Sequence, residues 1–142
     1  MNFDVSYGFS KRLRGLTVAA AKERVTEALM SEGFGVLTEI DVQATLKKKL
    51  DVDREPYLIL GACNPPLAYR ALSAEPDLGL LLPCNVIVRA GESPGRSVIA
   101  AMDPVAALGL AANPTIAPLA EEVRMRLARA LEAVERDASG RR

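Results

Sequence analysis

Polar and apolar positions change period several times along the chain, and each change predicts an element. Phe3, Val5 and Tyr7 alternate with Asp4, Ser6 and Gly8, a period of two that predicts a half-buried first strand ending near Phe9. The basic residues Lys11 to Gly15 are expected to turn the chain. Val18, Ala21, Val25, Ala28 and Leu29 then recur at spacings of three and four, predicting an amphipathic helix that Thr17 can cap and Gly33 can close. Beyond Gly33 the period returns to two: Phe34, Val36, Thr38, Ile40 and Val42 would share one face of a strand, and Gly35, Leu37, Glu39 and Asp41 the other. Residues 43–50 predict a short helix whose last turn carries Lys47, Lys48 and Lys49, where positive charge complements the helix dipole.

In the second half, Tyr57 to Ala62 is short and nearly all apolar, the pattern of a strand buried on both faces. Pro65 and Pro66 suit the first turn of a helix with Leu67, Ala68, Ala71 and Leu72 on one side and Asn64 as its cap. Glu75-Pro76-Asp77 ends that helix, and residues 78–82 form an apolar return segment. Residues 84–89 and 97–102 are expected to pair as an antiparallel hairpin across the turn-forming residues 90–95. Asp103-Pro104 opens a short helix to about Leu110. Asn113-Pro114 starts the longest one, in which Ile116, Leu119, Val123, Leu127, Leu131 and Val134 hold one stripe, supported by the Glu122–Arg126 and Glu132–Arg136 spacings. Residues 1–138 therefore read as one α+β domain, with a frayed tail over 139–142.

Composition narrows the functional classes. With 142 residues, 49% of them apolar and 25% charged, the chain can bury one ordinary core. Lys plus Arg and Asp plus Glu both count 18, so there is no basic excess to drive phosphate binding, and nucleic acid is not the expected partner. The amino end has neither a basic start nor an apolar run, and no segment approaches the ~18 apolar residues of a membrane helix, so a cytoplasmic protein without a membrane partner is expected. Histidine is absent. That removes the commonest general base, every Ser-His or Cys-His pair and the usual nitrogen ligand of zinc.

Candidate chemistry gathers between Leu58 and Val88, where Cys63-Asn64 and Cys84-Asn85 flank the proline-opened helix and hold both thiols of the chain. Without a secretory signal these are expected to stay reduced. Glu39 and Asp41 point the same way on their strand and could hold a hard cation or share acid and base roles if that face is covered; on an open face they are simply solvated. Lys47 could fold back to neutralise them. Cys63, Asn64, Cys84, Asn85, Glu39, Asp41 and Lys47 are thus the candidate pocket. Its integrity depends on topology. Antiparallel neighbours would bring both Cys-Asn pairs to one end of the sheet, whereas a parallel crossover would put them at opposite ends, roughly 17 to 20 Å apart.

Three segments, Gly61-Ala62-Cys63-Asn64-Pro65, Leu81-Leu82-Pro83-Cys84-Asn85-Val86 and residues 34–41, resemble the family called domain of unknown function 302. The likeness extends over almost the whole chain. It implies a small α+β domain with a curved, mainly antiparallel sheet of about five strands backed by a long C-terminal helix, similar to TATA-binding-protein-like folds, and a homodimer. It implies no established activity, cofactor or catalytic residue. The chain departs from the family habit at Asp51 and Glu55, where a glycine and a basic or aromatic residue are expected.

Three functional readings follow. The leading one is a homodimeric structural or interaction protein, since apolar residues on short elements such as 78–82 and 106–110 are commonly covered by a partner. The second is a module that uses Cys63 and Cys84 for a small ligand, a soft metal or thiol redox chemistry. The third is an enzyme with a cysteine nucleophile and Glu39 or Asp41 as base, its substrate undefined.

Overall fold

Every neighbouring pair of strands in the computed structural model, which describes residues 2–140 with side chains from 5 to 138, runs antiparallel. In chain order the strands are β1 (Asn2–Val5), β2 (Gly8–Arg14), β3 (Gly35–Asp41), β4 (Tyr57–Cys63), β5 (Cys84–Ala90) and β6 (Arg96–Met102), and in space they lie β1-β2-β6-β5-β4-β3. The helices are α1 (Val18–Ser31), α2 (Val42–Leu50), α3 (Pro65–Ala74), α4 (Pro104–Leu108) and α5 (Ile116–Gly140). Short 3-10 segments occupy Pro76–Leu81 and Gly109–Ala111. Among the described residues no helix is long and apolar enough to cross a membrane.

The alternation of β4, β5 and β6 separates the two faces of the sheet. Leu60, Val86, Ala101 and Phe9 form one row across four strands and are buried beneath α1 and α5, whose Val25, Leu29, Leu127 and Leu131 complete the core. The row ends at the β3 edge with Glu39, directly opposite Leu60. On the other face Ile40, Ile59, Ile87 and Ala100 make a matching row that stays partly exposed. Here the expected burial of β4 on both faces fails: Leu60 and Ala62 are buried, but Tyr57 and Ile59 are only half so.

Helix starts follow the side chains that cap them. Thr17, Asp41, Asn64 and Asp103 each accept a bond from a backbone N–H in the first turn of α1, α2, α3 and α4 respectively. Asp51 closes α2 at φ 54°, a left-handed conformation for which glycine is the usual residue.

Several local expectations are corrected. The first strand breaks into β1 and β2, and the basic residues Lys11 to Arg14 continue β2 instead of turning. Alternation explains this: Leu13 is buried, Lys11 runs along the same face to meet Glu135 of α5 at 3.3 Å, and Arg12 and Arg14 point outward. The segment read as an apolar return is the 3-10 turn, with Leu78 buried and Leu80 88% exposed. Helix α5 runs through Gly140, and Arg141 and Arg142, in the tail expected to fray, lie outside the described residues.

Candidate ligand-binding cavity

Ala62 of β4 stands directly opposite Cys84 of β5, so Cys63 is one residue further along at the same end of the sheet. The connection through α3 returns antiparallel because α3 and the 3-10 turn double the chain back on itself before Pro83. With strands ~4.8 Å apart and a rise of ~3.4 Å per residue, the two cysteine Cα atoms lie about 6 Å apart. Both line a cavity of about 390 Å³, open on one side, between this end of the sheet, α3 and the first turns of α5.

The wall is built by packing. Phe34, Leu67, Ala71, Leu108 and Leu119 are all buried and give the interior its apolar surface. The mouth is shaped by a β-bulge. Val36 pairs with Ala62 but Thr38 pairs with Gly61, leaving Leu37 as an extra residue that opposes nothing. The bulge overturns the expected face-sharing of β3: Val36 packs on the core side, whereas Thr38 and Ile40 turn to the other, and Leu37, 66% exposed, joins Thr38 at the rim of the cavity. Gly61 is required beneath Thr38. A Cβ there would collide with the Thr38 hydroxyl oxygen and approach Pro83 Cγ at 2.9 Å.

Asn64 lines the cavity, yet its amide is already engaged. Its Oδ1 accepts from the Leu67 N–H at 3.3 Å, and its Nδ2 donates to the Glu32 carbonyl at 3.4 Å, tying the start of α3 to the end of α1. Arg126 Nη1 donates to the same carbonyl at 3.2 Å. The two thiols differ in setting. Cys84 is 6% exposed, and burial, reinforced by neighbouring Cys63, pushes its thiol up to about 11. Cys63 is half-buried.

The remaining candidates lie elsewhere. Asn85 alternates with Cys84 onto the opposite sheet face, is exposed, and does not line the cavity. Glu39 takes an ion pair with Lys22 of α1 at 3.1 Å. Asp41 accepts from the Ala44 N–H at 2.9 Å as the α2 cap. Lys47 does not reach either carboxylate but meets Asp51 at 2.9 Å and Asp53 at 3.1 Å, which raise its pKa. The seven candidates thus divide into Cys63, Asn64 and Cys84 at the cavity and four surface or capping residues. Among the described residues no group of three or more His, Cys, Asp or Glu is placed to hold a metal ion.

Sequence reasoning missed Leu37 and Thr38 at the mouth, and Leu108, Leu119 and Val123 in the wall. No local signal marks the bulge. Leu119 and Val123 belong to a stripe that reads as core throughout, although its first turns border the cavity.

An antiparallel sheet with a long C-terminal helix across one face and an apolar cavity at one end defines a small α+β domain. A family model described as domain of unknown function DUF302 matches residues 9–134, and the chain belongs to that family. A crystal structure of an uncharacterized conserved DUF302 protein from Bacillus stearothermophilus is similar to it, with a TM-score of 0.81 and 29% identity over 90% of this chain and 98% of that one. No curated protein matches the chain.

Proposed function

We propose that the protein is a small-molecule binding module whose site is the cavity at the Cys63–Cys84 end of the sheet. The observation that carries this reading is the lining: a partly open, apolar space of about 390 Å³ bordered, among the described residues, by no Asp, Glu, Lys or Arg. Its volume lies within the ~300–1,000 Å³ typical of ligand pockets. The reading takes both thiols as reduced, as in cytoplasm; successive strand positions point their side chains to opposite faces, so a bridge between Cys63 and Cys84 would require the backbone to shift. A soft cation would have to draw a thiolate from Cys84, whose burial opposes ionisation. The cysteine-dependent enzyme lacks its base, since Glu39 is held by Lys22 and Asp41 by the cap of α2.

N-phenylnaphthylamine, a neutral dye that brightens on leaving water, tests the reading. It should bind one per chain, and Ala71→Leu, which fills the cavity, should abolish the signal. Equal fluorescence with both proteins would remove the cavity as the site.

A second reading, a homodimeric interaction protein, is supported by the partly exposed row Ile40, Ile59 and Ile87 and by Leu80 and Leu110, 88% and 77% exposed. Such residues are commonly covered by a partner. Light scattering at micromolar concentration should give twice the chain mass, and a monomer mass would refute it. Charge parity supports only weak, salt-sensitive association with nucleic acid.

A further inference from the structure

Resting on the cavity reading, we infer that the ligand is an uncharged molecule made mainly of hydrocarbon, with one neutral polar end, a hydroxyl or carbonyl, held at the mouth by Thr38 and Cys63. Three observations carry this.

The first is what the wall lacks. A carboxylate, phosphate or ammonium would meet no counter-charge among the described lining residues, at the mouth or inside, and one drawn in against Phe34, Leu67, Ala71, Leu108 and Leu119 costs far more than its chain gains by burial. The Cys84 thiol, itself buried in that wall, is kept neutral by the same surroundings.

The second is where polar atoms remain. Asn64 would be the obvious recognition group, but its Oδ1 and Nδ2 are each already held in place, by the Leu67 N–H and the Glu32 carbonyl. The Thr38 hydroxyl and the Cys63 thiol are left, and both belong to less buried residues than the wall. Thr38 is there because the bulge at Leu37 turns it over Gly61. Two neutral groups at the rim, a hydroxyl and a thiol, above an apolar interior match a molecule with one polar end.

The third is size. An apolar cavity of ~150 Å³ holds one benzene. In proportion, about 390 Å³ holds roughly fifteen carbons, enough for a medium-length chain or two fused rings.

The experiment compares decanol, decanoate and decylammonium at neutral pH by titration calorimetry, with N-phenylnaphthylamine alongside. Decanol is expected to bind one per chain and to displace the dye, and the two ions to bind at least about tenfold more weakly. Ala68→Leu, at a half-buried position where the added bulk is tolerated, and Ala71→Leu should each weaken decanol. Thr38→Val should weaken it about fivefold, with Thr38→Ser restoring it. Decanoate or decylammonium binding as tightly as decanol would overturn the proposed class. Dye binding without any decanol binding would also overturn it while leaving the cavity reading intact, and failure of dye and decanol together would end both. Decanol uptake that occurs only as a dimer dissociates would make the mouth a subunit contact and reject the proposal.

Discussion

Ala62 and Cys84 face each other across the β4–β5 ladder, and that one pairing brings two cysteines 21 positions apart to the same cavity. Because one strand ends with Cys63 and the other begins with Cys84, the two thiols receive different surroundings, one at the mouth and one in the wall. Their reactivities should differ accordingly. With its pKa near 11, roughly one Cys84 in a thousand is thiolate at about pH 8. An aromatic disulfide reagent should therefore titrate one thiol quickly in the native protein and the second only on unfolding. Cys63→Ser should remove the fast phase. Two equally fast thiols would contradict the burial of Cys84.

The same burial makes stability depend on alkaline pH. Cys84 titrates near 9.0 when exposed and near 11 when folded, so between these values the folded chain holds the proton more tightly than the unfolded chain. Stability from this group is complete below about pH 9 and lost as pH rises toward 11, by roughly 2 to 3 kcal/mol in all. Urea unfolding of the parent and of Cys84→Ala across that window isolates it: the parent should lose stability faster, and parallel curves would refute the assignment.

Gly61 has no room for a methyl group between Thr38 and Pro83. Gly61→Ala should cost about 1 to 3 kcal/mol, the usual range for overpacking, and should displace Thr38 from the rim. Chemical denaturation checks the first effect and dye affinity the second. A variant as stable as the parent would mean that the bulge shifts freely.

Asp51 occupies a left-handed conformation at the end of α2 and pairs with Lys47 in an exposed bridge. Glycine removes the strain of that conformation, worth about 1 kcal/mol, and gives up a surface pair worth less than that. Asp51→Gly should raise the melting temperature, and a decrease would show the pair to outweigh the strain. The glycine expected here from the family resemblance thus has a backbone reason.

The elements were legible wherever side-chain period or capping chemistry determined them. Thr17, the α5 stripe and the hairpin of β5 with β6 follow directly from spacing. Glu39 and Asp41 do share a face, because both lie past the bulge, opposite Leu60 and Leu58. The cavity was half legible. Cys63, Asn64 and Cys84 stand out by composition and by the prolines beside them, but Leu37 and Thr38 reach the mouth through a register shift decided by pairing with β4, information held in another segment of the chain. Asn85 was misplaced for a simpler reason: it follows Cys84 in the strand, so its side chain turns to the other sheet face and does not line the cavity. Lys11 to Arg14 looked like a turn because their charges hide the fact that alternate members are covered by α5.

The account rests most heavily on the cavity being a binding site for a neutral, mainly hydrocarbon molecule. A crystal of the protein grown with a terminally brominated decanol locates that molecule directly, because bromine scatters anomalously and marks the chain end away from the hydroxyl. The account predicts one bromine peak per chain inside the cavity, among Leu67, Ala71 and Leu119, with the hydroxyl at Thr38. A peak on the open isoleucine face, or an empty cavity at saturating ligand, would contradict it.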